Sequence, residues 1–152
     1  MEKSKRVLSL FLVLTMMLAL CISASASKVG SPITKTKSTD YGTLKGEVWM
    51  YCQDAANGTR IGWEPTVRTS ISSSYTMAET TVEVECQYTD TGTYPANNWC
   101  ASDVCTNQNW AEVDMYFTGD AGRDITVHSA HGITYSKSYA LYMTNNFDGS
   151  FL

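Results

Sequence analysis

Hydrophobic and polar positions alternate with a period of two along much of the chain, most cleanly in Thr80-Thr81-Val82-Glu83-Val84-Glu85-Cys86-Gln87-Tyr88. Thr80, Val82, Val84, Cys86 and Tyr88 fall on one side of an extended backbone, and Thr81, Glu83, Glu85 and Gln87 on the other. Residues two apart share a face of a strand, so this stretch predicts a half-buried β-strand with its cysteine toward the core. Ala111, Val113, Met115 and Phe117 alternate with Glu112, Asp114 and Tyr116 in the same way. Leu44 to Cys52 predicts a strand with Val48, Met50 and Cys52 on one face and Trp49 and Tyr51 on the other.

Further strands are expected over Thr59 to Trp63, around Val67, Thr69 and Ile71, from Ile125 to about Gly132, and from Ser138 to Thr144. Asn57-Gly58, Ser72-Ser73-Ser74 and Gly119-Asp120-Ala121-Gly122 supply turns, because these residues tolerate or favour the backbone angles that reverse a chain. Pro65 marks an edge, bend or bulge, since it cannot donate to a ladder. Residues 89–108 read as a long irregular stretch suited to a binding surface. No helical stripe is present. About seven short strands with turn signals every eight to twelve residues predict an all-β fold, a small antiparallel β-sandwich of immunoglobulin-like or jelly-roll type.

The N-terminus places this fold outside the cell. Lys3, Lys5 and Arg6 precede an apolar run from Val7 to Ile22, and Ala24-Ser25-Ala26 offers small residues for cleavage: a secretory signal peptide over residues 1–26, which also removes Cys21. Residues 27–39, rich in Ser, Thr and Lys, read as a flexible lead-in, and 40–152 as a single domain. Cleavage leaves 126 of the 152 residues, with 8 basic against 14 acidic side chains and a formal charge of −6. Such a surface does not suit nucleic acid or an acidic membrane. No later apolar run is long enough to span a bilayer.

Four cysteines remain in an oxidising compartment, which predicts two disulfides. The facing patterns favour Cys52–Cys86 and Cys100–Cys105, the longer loop contributing about 3–4 kcal/mol. The order Cys52, Trp63, Cys86 resembles that of an immunoglobulin domain, in which a core tryptophan packs on an inter-sheet disulfide. This resemblance is one of architecture and implies no activity.

Candidate chemistry is of three kinds. Trp49, Tyr51, Trp99 and Trp110, set among Asn, Gln and Asp, have what a sugar-binding surface needs: flat faces for C–H contacts and polar groups for hydroxyls. Glu83 or Glu85 with Glu112 or Asp114 would serve a glycosidase if their strands faced each other across a cleft. His128 and His131 could join Cys100 and Cys105 at zinc, or join Ser129 and Asp124 in a triad, but regular alternation points the two imidazoles apart and no nucleophile elbow surrounds Ser129. Asp120 and Asp124 lack full calcium-ligand spacing. The expectation is therefore a secreted, non-catalytic binding module for an extracellular glycan or protein surface, with no cofactor or metal. A small polysaccharide hydrolase and a bacteriocin-like effector are the alternatives.

Overall fold

A computed structural model describes residues 27–28, 31–54, 60–95 and 99–149. The expected signal peptide and the turn expected at Asn57-Gly58 fall outside the described residues. Ten strands are present among those described: β1 (Ser27–Lys28), β2 (Ile33–Thr39), β3 (Gly42–Asp54), β4 (Arg60–Ser72), β5 (Glu79–Tyr88), β6 (Cys100–Thr106), β7 (Trp110–Asp114), β8 (Phe117–Asp120), β9 (Ile125–Thr134) and β10 (Ser138–Phe147). They form two antiparallel sheets. In sheet A, β3 and β4 are central; β1 and β2 lie along the outer edge of β3, and β7 and β8 along that of β4. Sheet B runs β10-β9-β5-β6.

Apolar positions of both sheets meet in one core. Val48, Met50, Trp63 and Val67 of sheet A pack with Val82, Val84, Val127 and Met143 of sheet B, and a second cluster joins Leu44, Ile71, Met77, Ile133 and Leu141. The β5 alternation holds over the whole strand, with Thr80, Val82, Val84, Cys86 and Tyr88 all buried. Trp63 is fully buried, and its indole lies against Gly119, where a Cβ would stand 2.9 Å from Nε1.

Three departures from the sequence reading have physical causes. The segment expected as a flexible lead-in contains β2, a strand whose residues pair with Gly42 to Val48 of β3. It has no apolar alternation because it is an exposed edge. Its inward-facing Lys35 and Lys37 reach across to sheet B, where their ammonium groups donate to the backbone carbonyls of Tyr142 (3.0 Å) and Ala140 (2.8 Å) on the edge strand β10. The irregular stretch expected up to Gln108 contains β6, paired along β5 from Glu79 to Glu85.

The disulfide expectation is also corrected: no cysteine pair among the described residues stands at disulfide distance. Cys100 and Cys105 lie five residues apart on one extended strand, on opposite faces, and so cannot close on each other. Cys52 and Cys86 do share the core, but Cys52 sits across from Trp63 within sheet A and Cys86 across from Val127 within sheet B. Burial, and secondarily Glu85 and Cys100, keeps the Cys86 thiol protonated.

Candidate binding surface

Pro65 shapes the site. It sits within β4, between the stretches that pair with β7 and β8, and lacks an N–H for the ladder. Its carbonyl accepts from Met115 N at 3.2 Å, and the neighbouring edge is interrupted at Met115 and Tyr116, so that β7 ends at Asp114 and β8 begins at Phe117. The interruption opens a notch of about 560 Å³ on the outer face of sheet A, lined by Tyr51, Glu64, Thr66, Asp114, Met115 and Tyr116.

Cross-strand register gathers the rest of this face. Tyr51 is opposite Glu64; Trp49 is opposite Thr66, which is opposite Asp114; Ser70 is opposite Trp110. Paired residues share a face, so Trp49, Tyr51 and Trp110, three of the four expected aromatic residues, lie on one surface. Trp110 is 51 % exposed and Tyr116 44 %. Trp49 is half-buried beneath the guanidinium of Arg68, 5.5 Å from its ring centroid. Arg68 is held there by Glu112, which accepts from both Nε and an Nη at 2.5 Å, and Lys45 pairs with Glu47 at 2.5 Å. The notch itself has two carboxylates, two phenols and no basic side chain.

Trp99 is not part of this surface. It precedes β6, stacks on Tyr94 with ring centroids 4.1 Å apart, and lies on the sheet B side, where Tyr94 donates to Glu85. That hydrogen bond raises the Tyr94 phenol above its ordinary pKa. Tyr116, absent from the aromatic set expected from the sequence, also lines the notch, whose position follows from Pro65, a signal present in the sequence.

The condition under which the carboxylate pairs would serve a glycosidase, strands facing each other across a cleft, is not met. Glu83 and Glu85 point outward from sheet B, whereas Glu112 and Asp114 point outward from sheet A, with the whole core between them. They cannot flank one glycosidic bond. The zinc reading fails geometrically as well: Cys100 and Cys105 lie on opposite faces of β6, His128 faces outward and His131 is fully buried. Asp120 faces Arg123, and Asp124 accepts from Gly149 N at 2.9 Å.

Ser129 does meet a histidine, its Oγ lying 3.0 Å from Nε2 of His131. The third member is Thr69 rather than Asp124. Thr69 Oγ1 donates to the Thr81 carbonyl at 2.8 Å, so at 2.9 Å from His131 Nδ1 it accepts the imidazole proton, leaving Nε2 to accept from Ser129. Desolvation lowers the His131 pKa to about 4. This is a neutral core histidine with both nitrogens satisfied. The chain matches no known family model and no curated protein.

Proposed function

We propose that the protein is an exported, non-catalytic glycan-binding module that uses the outer face of sheet A. The observation that carries this reading is the notch opposite Pro65, where Tyr51 and Tyr116 flank Glu64, Asp114 and Thr66. Phenol rings offer flat faces for the C–H side of a sugar, and carboxylates accept from its hydroxyls. From Tyr116 back along β7 to Trp110 the edge measures roughly 20 Å at the rise of an extended strand, enough for several sugar units in a row. Arg68 fixes Trp49 from above and leaves Trp110, Tyr51 and Tyr116 as the stacking groups.

The test is depletion of the purified mature chain from solution by insoluble peptidoglycan, cellulose and chitin, with soluble sugar assayed in the same tubes. Retention without sugar release is expected on one of these polymers. Trp110→Ala and Tyr116→Ala should each reduce retention about tenfold, the loss of one stacked ring, while Trp99→Ala should leave it unchanged. Equal retention of all three variants, or loss only in Trp99→Ala, overturns the assignment of the face; sugar release would replace binding by hydrolysis.

A further inference from the structure

The outer face of sheet B carries a second depression, of about 530 Å³, built differently from the notch. Its centre is a row across three strands in which Glu83 of β5 is opposite Ala130 of β9, and Ala130 opposite Tyr142 of β10. Ala130 is too short to fill the space between its neighbours. A carboxylate and a phenol ring therefore face each other over a methyl group, two strand spacings or about 10 Å apart at the backbone. Tyr142 is 68 % exposed, the most open of the large hydrophobic side chains among the described residues. Glu85 stands in the next row, between Cys100 and His128.

No outward position of β5, β6, β9 or β10 holds a lysine or arginine, whereas Glu79, Glu83 and Glu85 all point outward. The His128 imidazole is engaged on both sides, with Nε2 2.8 Å from the Gln87 amide nitrogen and Nδ1 3.1 Å from Thr144 Oγ1. The nearest ammonium groups, Lys35 and Lys37, come from sheet A and are spent on β10 carbonyls. A gap of this width between a carboxylate and an aromatic face, floored by Ala130 and with no lysine or arginine on its strands, suits an organic cation that forms an ion pair on one side and a cation–π contact on the other.

We propose that this depression is a binding site for a small molecule carrying a primary ammonium group, distinct from the glycan-binding face and independent of it. Glu83 supplies the ion pair, Tyr142 the ring, and Glu85 a second negative charge. A free polyamine and an amino sugar share this chemistry.

The experiment is a titration of the mature chain with spermidine and, separately, with a glucosamine oligomer, read by backbone amide shifts and by calorimetry; butanediol and the N-acetylated oligomer are the neutral controls. Millimolar or tighter binding of at least one amine is expected, read at the amides of Glu83, Ala130 and Tyr142 and weakened by salt, and the controls should leave those three amides unshifted. Preference between the two amines identifies the source. Glu83→Gln and Tyr142→Ala should each weaken binding about tenfold, Tyr142→Phe should retain it, and Trp110→Ala should not change it. Thermal unfolding of each variant separates loss of the site from loss of the fold. Equal shifts of those amides with the neutral controls, an unchanged Glu83→Gln titration, or no shift with either amine overturns the proposal.

Discussion

The two outer faces come from the same alternating pattern and yet offer opposite chemistry. On sheet A, register sets charges of opposite sign side by side: Glu47 opposite Arg68, and Arg68 opposite Glu112. The Arg68–Glu112 ion pair holds a guanidinium over Trp49, and a hollow lies where Pro65 interrupts the ladder. On sheet B, register sets Glu83 between Ser102 and Ala130, small residues that neither neutralise it nor cover it. Alternation decides which side chains leave the core; cross-strand neighbours decide whether what leaves is a solvated surface or a site.

If this contrast is a property of the faces alone, surface changes should act on one face, and changes in the layer between the sheets on both. The largest expected effect is on that layer. The unfolded chain binds a proton at His131 near pH 6.5 while the folded chain resists it down to about 4. Stability should therefore fall as pH drops through 6.5 and level off, for this group, below 4. The whole shift is worth about 3 kcal/mol. Urea midpoints measured between pH 7 and 4 check this, and a flat profile would remove His131 from the acid response. Binding at both faces should weaken together in the same window.

Next in size is Gly46→Ala. Gly46 lies on β3 with its Cα toward His131, and a Cβ there would stand 2.6 Å from the imidazole. Overpacking between the sheets should cost about 1–3 kcal/mol, seen as a lower melting temperature, with both faces affected. Unchanged stability would mean that His131 moves freely in the core. The smallest effect is expected from Arg68→Ala. An exposed ion pair contributes below about 1 kcal/mol, so stability should barely change, but the Trp49 ring loses its cover. Stronger glycan retention, with amine binding on sheet B unaltered, would sharpen the comparison; loss of retention would make Arg68 part of the site.

Much of the fold was legible because its central strands obey period two. In β5 and β7 the expected inward and outward residues are those observed, and the aromatic face could be drawn up from Trp49, Tyr51 and Trp110. The edges were not legible. β2 is a run of Thr and Lys whose pairing is all backbone, and β6 mixes Cys, Ala, Ser and Val on both sides, so neither carries the apolar contrast that reveals a strand. The Cys100–Cys105 pairing failed for a related reason: the strand that sets these two cysteines on opposite faces was not readable, whereas the core-ward facing of Cys52 and Cys86 was. Trp99 was grouped with the other aromatics by residue type, and only the sheet to which its neighbour Cys100 belongs tells it apart.

Edge-to-edge growth of a β-sheet into a fibre requires two open edges on every molecule. In sheet B one is closed from within, because Lys35 and Lys37 occupy the carbonyls that an incoming strand on β10 would need. The other, β6, pairs on its far side with no strand among the described residues. A second molecule could add there only by presenting its own β6, since its β10 is capped in the same way. Growth that uses only the edges of sheet B would therefore stop at two chains, with β2 and its pair of lysines as the terminator of an otherwise extendable sheet.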